Sequence, residues 1–203
     1  MRANPLPAVL PWADPLPAAE DGLMADATPE PVASGADRAG ALIRAASERL
    51  AAAGARDEAL AEYVGRRRVL LIPREPVMRP LGRVWRIGVL LVDADGAAYA
   101  TGSTTRAIDP GRRGYTSESA RDRAEERAAA RRGRFPEGET VNFGWRRLDL
   151  DDDALRRSDG PLVLVDDVPT VRWSVGRGGT STTELGAYLD DRVSLLIDPP
   201  RGA

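Results

Sequence analysis

Residues 83–92 form a run rich in β-formers, which meets Asp93-Ala94-Asp95-Gly96 and is answered by a second run over 97–108. Asp-Gly between apolar runs is a strong hairpin signal, because glycine accepts positive φ without a steric penalty. A second hairpin pattern follows at 162–165, with turn residues 166–169 and a return over 170–175. A strand around 139–148 is expected in the same sheet. Val69-Leu70-Leu71-Ile72, stopped by Pro73, reads as a further strand.

Helical periodicity appears between these runs. Ala39, Leu42, Ile43, Ala46 and Leu50 recur at helical spacing before Gly54. A short helix is expected over 57–64, ending before Gly65. Residues 118–132 place Ala120, Ala124 and Ala128 on one side, with Arg121 and Glu125 spaced to pair, and predict a weakly anchored surface helix. The final helix, 182–197, carries a stripe of Leu185, Tyr188, Leu189, Val193 and Leu196. Ser181 and Glu184 fit a capping box, and Pro199 follows. This order argues against βαβ units. It predicts an α+β fold: a mainly antiparallel sheet built from two hairpins plus extra strands, with N-terminal, middle and C-terminal helices packed on it.

Residues 1–36 stand apart. They hold seven of the 16 prolines and set Arg2 against Asp14, Glu20, Asp21, Asp26 and Glu30, a net charge of −4. Such a segment buries too little apolar surface to offset ordering entropy, so a disordered Pro/Ala-rich acidic tail is expected. Pro5-Leu6-Pro7-Ala8 recurs as Pro15-Leu16-Pro17-Ala18 around Trp12. It reads either as a docking segment in extended form or, by preference, as a tail without specific contacts. Met24 offers a second possible start. Residues 37–203 are expected to form one domain.

Chemistry is bounded by what the 203 residues omit. There is no His, Cys or Lys, and all 29 basic residues are arginine. Ser–His–Asp and Cys–His mechanisms need an imidazole, Ser–Lys and Schiff-base mechanisms need an amine, and zinc sites nearly always need His or Cys. Carboxylate acid–base work, activated hydroxyls, oxygen-held Mg²⁺ or Ca²⁺, and anion binding by arginine remain. No cofactor or metal is expected. The charge outside the tail is nearly balanced, at 28 arginines to 26 acids, and lacks the basic footprint of nucleic-acid binders. No apolar run approaches the ~20 residues of a membrane span, and Pro5, Pro7 and Pro11 interrupt any signal-peptide core. A cytoplasmic protein without membrane contact is expected.

Two groups of residues suggest binding. Trp85 lies among Arg83 and Arg86, Trp145 precedes Arg146 and Arg147, and Arg172 precedes Trp173, all on expected strands. Alternation puts Arg83, Trp85 and Ile87 on one face and Arg86 on the other. Arg83, Trp85, Arg86, Thr104, Arg106, Arg172 and Trp173 could line a concavity that grips an anion or planar ring. The competing reading puts the tryptophans in the core and the arginines along a solvated face. In the second group, Arg177, Gly178, Gly179 and Ser181 could hold an anion before the last helix, or simply form a connection. Asp149-Leu150-Asp151-Asp152-Asp153 opens like a calcium loop, but Ala154 and Gly160 occupy the glycine and glutamate positions, so a short helix start is expected. The spacing of Asp109, Glu137 and Glu139 does not demand a carboxylate pair. Arg66-Arg67-Arg68 reads as a solvated element start.

The stretch Arg79-Pro80-Leu81-Gly82-Arg83-Val84-Trp85-Arg86, the hairpin after it to Thr101-Gly102, and Gly138-Glu139-Thr140-Val141-Asn142-Phe143 resemble a group of small uncharacterised actinobacterial proteins that are often automatically labelled glutaminase. The resemblance covers most of residues 40–200 and implies an amide hydrolase. It transfers no catalytic residue, and the Ser-x-x-Lys, Cys–His and lysine-assisted threonine arrangements of amidases all lack a required partner here. The residues themselves favour a non-catalytic domain that binds an anionic or planar small molecule or a protein partner.

Overall fold

The computed structural model describes residues 33–69, 72–109, 117–175 and 179–200. Residues 1–32 of the expected tail lie outside them, and Gly35 and Ala36 at its end already belong to a helix. No helix among the described residues is long and apolar enough to cross a membrane.

Helix α1 (Gly35–Ala52) begins at Ser34, whose hydroxyl accepts from the Asp37 amide while the Asp37 carboxylate accepts from the Ser34 amide. This reciprocal cap satisfies two donors that a helix start leaves unpaired. Ala39, Ile43, Ala46 and Leu50 are buried as expected, whereas Leu42 lies on the exposed flank. Gly54, at φ 61°, ends the turn.

Next come β1 (Glu58–Val64), β2 (Arg67–Val69), β3 (Ile72–Arg74), β4 (Val77–Ile87), β5 (Leu90–Val92), β6 (Ala98–Ala100) and β7 (Ser103–Arg106). Helix α2 (Glu118–Arg132), strands β8 (Thr140–Phe143) and β9 (Arg146–Arg147), and helix α3 (Asp152–Arg156) follow. Strands β10 (Leu162–Val165), β11 (Val168–Val175) and β12 (Gly179–Glu184) precede helix α4 (Leu185–Ile197). The fold is α+β with mostly antiparallel pairing, and the largest sheet is mixed because β1 and β8 run parallel.

Several expectations need correction. Residues 57–64 form no helix. Glu58–Val64 is β1, flanked by β4 and β8, with Ala59, Leu60 and Ala61 all buried. Burial on both faces erases the alternation that would have marked a strand. The 69–72 run is divided between β2 and β3, while Leu70 and Leu71 lie outside the described residues. The expected first hairpin holds at its turn, where β5 and β6 pair antiparallel across Asp93–Gly96, but its two runs are broken into shorter strands. Gly88, at φ 60°, reverses β4 into β5, the Asp93–Gly96 turn leads to β6, and Thr101-Gly102 carries the strand on to β7. The expected strand over 139–148 breaks at Gly144-Trp145. The second hairpin holds, tightened to Asp166-Asp167, both at positive φ as a type I′ turn requires. Helix α4 starts at Leu185 rather than 182. Residues 179–184 pair with β11, so Ser181 and Glu184 form no capping box. Glu125 pairs with Arg66 instead of Arg121.

The two interrupted strands share one register. Ala100 lies opposite Arg146, and three residues on, Ser103 lies opposite Phe143. Counted as continuous ribbons, the pairings run β1–β4–β5–β6/β7–β9/β8 and back to β1. The sheet therefore curls until it closes, which leaves little free edge. Leu60, Val84 and Leu91, with Tyr99 and Trp145, cluster on the inward face. Two clusters form outside it. Ala59, Ala61, Met78, Val141 and Phe143 meet Ala129 and Ala130 of α2. Trp85, Ile87, Leu90 and Val92 meet α1, α4 and the β10–β11–β12 sheet. The Tyr188 hydroxyl ties α4 to the β4–β5 turn, accepting from the Val89 amide at 3.0 Å and donating to the Ile87 carbonyl at 3.1 Å.

Candidate functional site

The inward face of the curled sheet changes character along its length. Beyond its apolar plug, Glu58, Arg86 and Asn142 continue the same faces of β1, β4 and β8. Asn142 is 1 % exposed. Its amide nitrogen donates to Glu58 Oε2 at 2.8 Å and to the Ala59 carbonyl at 3.1 Å, while its oxygen accepts from Arg86 Nη2 at 2.5 Å. The amide thus links a cation to an anion whose own separation, Arg86 Nε to Glu58 Oε2, is 3.6 Å. Arg86 Nε is itself buried without a hydrogen-bond partner. An unsatisfied guanidinium nitrogen of this kind is costly and invites an acceptor.

Register fixes what joins this triad. Thr104 of β7 stands opposite Asn142, and Arg106 opposite Thr140, so their side chains leave the sheet on the same face. With Arg123, Glu126 and Arg127 from the first half of α2, they border a cavity of about 420 Å³. Helix α2 reaches this position because it starts at Ser117, whose hydroxyl accepts from the Ala120 amide, and packs through Ala129 and Ala130 near its other end. Four arginines and two glutamates line the cavity. Arg106, Arg123 and Arg127 join no salt bridge among the described residues. Burial, and then the charge of Asp122, hold the Glu126 carboxyl above the ordinary carboxylate range, against the opposing pull of Arg123 and Arg127. The chemistry available here is charge-assisted hydrogen bonding to an anion.

The expected Arg/Trp concavity divides. Arg86, Thr104 and Arg106 meet in this cavity. Arg83 does not. It is held by Asp57 at 2.6 Å and Glu139 at 2.9 Å, and its hydrogen bond is the main reason the Asp57 carboxyl lies below its usual range. Trp85 is a core residue whose indole donates to the Ala55 carbonyl at 3.0 Å. Trp145 sits in the break between β8 and β9 and donates to the Ala61 carbonyl at 2.9 Å. Arg172 and Trp173 line a separate cavity. Of the expected anion loop, Arg177 and Gly178 lie outside the described residues. Gly179 and Ser181 belong to β12, so neither sits at a helix start.

Asn142, Glu58, Arg123 and Arg127 escaped the sequence reading. The signal for Asn142 was a lone amide between Val141 and Phe143 in a strand. The signal for the α2 arginines was hidden in a helix charged almost all round. Asp109 and Glu137 flank Arg131, while Glu139 is taken by Arg83. Asp151 caps α3, as the acidic run suggested. Among the described residues, no group of three or more His, Cys, Asp or Glu is placed to share a metal ion.

No family model matches the chain, and no curated protein and no solved structure matches it.

Proposed function

We propose that the domain is a non-catalytic module that binds a small anion in the cavity between the open end of the curled sheet and the first half of α2. The observation that carries this reading is the convergence there of Arg86, Arg106, Arg123 and Arg127, with the buried Nε of Arg86 lacking an acceptor. Thr104 and Thr140 would complete the anion's shell, and Asn142 with Glu58 would hold Arg86 in place. Guanidinium forks suit carboxylates and phosphates, which accept two parallel hydrogen bonds from one group.

Calorimetric titration with inorganic phosphate and with citrate tests this. The expected result is binding that weakens with added salt and is lost in an Arg106→Ala, Arg127→Ala double variant of unchanged fold. An undiminished response in that variant removes these residues as the site. Ammonia release from glutamine by purified protein, abolished by a point substitution in the chain, overturns the non-catalytic reading.

A further inference from the structure

The three described tryptophans differ in one respect. Trp85 and Trp145 give their indole N–H groups to backbone carbonyls. The Trp173 N–H donates to nothing among the described residues, and it is not buried. A tryptophan nitrogen normally finds a partner once its ring is enclosed, so Trp173 is packed for its ring while its polar edge stays open.

The ring rests on Tyr188, with centroids 5.7 Å apart and planes inclined by 38°. That contact anchors it to the main core, of which Trp173 is a partly buried fringe. Its remaining surface borders a cavity of about 440 Å³ shared with Val89, Ala100, Thr101, Arg172 and Thr180. The size falls in the range typical of small-molecule sites, roughly 300–1,000 Å³.

Arg172 supplies charge. Its Nη2 donates to the carbonyls of Ser158 and Gly160, which fixes the guanidinium plane. It joins no salt bridge among the described residues. The neighbouring carboxylate, Asp159, is engaged by Arg146 at 3.2 Å. Among the described residues, the cavity therefore combines an anchored aromatic wall, apolar contacts from Val89, Ala100 and Pro161, an indole donor without an acceptor, two threonine hydroxyls and a fixed cation, with the Asp159 carboxylate, which also lines the cavity, engaged by Arg146 rather than by Arg172.

We propose that this cavity is a second, independent binding site for a planar carboxylate, an aromatic or heteroaromatic acid whose ring lies against Trp173 and whose carboxylate reaches Arg172. A flat ring matches the indole, and a carboxylate can accept from the guanidinium nitrogens, Nε and Nη1, that Arg172 does not spend on Ser158 and Gly160. The site shares no lining residue with the α2 cavity.

The test is a titration of the ¹⁵N-labelled full chain with benzoate, following the four indole N–H resonances. Trp12→Phe and Trp173→Phe variants assign two of them, and the remaining two belong to Trp85 and Trp145. Benzoate is expected to move the Trp173 signal and leave those of Trp85 and Trp145 in place. Cyclohexanecarboxylate, with the same charge but no flat ring, is expected to bind about tenfold more weakly, and inorganic phosphate to leave the Trp173 signal unmoved. In Trp173→Leu, which lacks the reporting indole, calorimetric titration with benzoate is expected to show no binding. Should that variant fail to fold, Thr101→Phe, which fills the cavity from the opposite wall, is expected to abolish it. Arg106→Ala is expected to leave it intact, which separates this site from the α2 cavity. A stationary Trp173 resonance, equal binding of the two carboxylates, or undiminished benzoate binding in the cavity-filled variant overturns the proposal.

Discussion

The curled sheet is covered on two sides, and the coverings are unlike. On one side α1 and α4 press Ile43, Leu50, Leu185, Tyr188, Leu189 and Val193 against Trp85, Ile87, Leu90 and Val92. On the other, the buried residues of α2 are Ala129 and Ala130 alone. Large apolar side chains on the first side remove much surface from water, and each contributes roughly 1.5–3 kcal/mol. Alanine contributes little area but lets the backbone approach closely. The first covering holds the fold. The second holds only one end of a charged helix and leaves the other end over a cavity. Two of the four arginines of the proposed anion site, Arg123 and Arg127, are drawn from this weakly committed end, where side chains are free to meet a ligand.

The contrast breaks most easily on the large-residue side. Ile43 is completely buried within the α1–α4 core. Ile43→Ala is expected to cost about 3 kcal/mol, since it forfeits both transfer energy and packing around the residual cavity. Urea denaturation measures it as a lowered midpoint at unchanged slope. A loss below that of an exposed-helix substitution would show that the two coverings contribute alike.

Ala129→Gly on α2 supplies the matching measurement. Ala129 is equally buried, but glycine removes only a methyl group and adds backbone freedom, so about 1 kcal/mol is expected. If this variant instead matches Ile43→Ala in the same denaturation series, α2 is as integral to the core as α1, and the weakly committed helix is the wrong picture.

How legible these two sides were in the sequence follows from the same physics. The α1 and α4 stripes were readable because large apolar residues recur at helical period and only one helix face is buried. The span of α2 was readable too, but its anchor was misplaced. Ala120, Ala124 and Ala128 share the alanine pattern with Ala129 and Ala130, and only the latter pair is fully buried. Strand β1 was misread because Glu58-Ala59-Leu60-Ala61-Glu62 has helix-forming residues throughout. Pairing with β4 and β8 overrides that local preference. The candidate cavity was half legible: Arg86, Thr104 and Arg106 lie on strands whose alternation could be read. Arg123 and Arg127 arrive through a tertiary contact that no spacing announces, and Asn142 matters because it is buried between two charges. Ser181 and Glu184 mimicked a cap because the spacing of a capping box is short enough to arise within a strand.

The smallest expected effect concerns pH and the α2 side alone. The Glu126 carboxyl lies above the ordinary range chiefly through burial, so its charged form is disfavoured in the folded state. A raised folded-state value means that the folded chain holds the proton more tightly than the unfolded chain. Its contribution to stability is fully present below the unfolded carboxylate value, near 4.3, and is lost as pH rises through the folded one. Glu126→Gln, permanently neutral, is therefore expected to be slightly more stable than the parent at pH 7, with the difference closing as pH falls below the unfolded value. The same substitution removes a negative charge from the rim of the arginine-lined cavity, so phosphate is expected to bind more tightly at pH 7. Asp57, held low mainly by the Arg83 hydrogen bond, works in the opposite sense and loses its contribution as pH falls through its depressed value. Parent and variant share that loss, so it cancels in their difference. Thermal unfolding of both proteins across this range isolates Glu126. A stability gap that widens toward low pH, or phosphate affinity unchanged by the substitution, would mean that this carboxylate does not oppose the charge of the surrounding arginines.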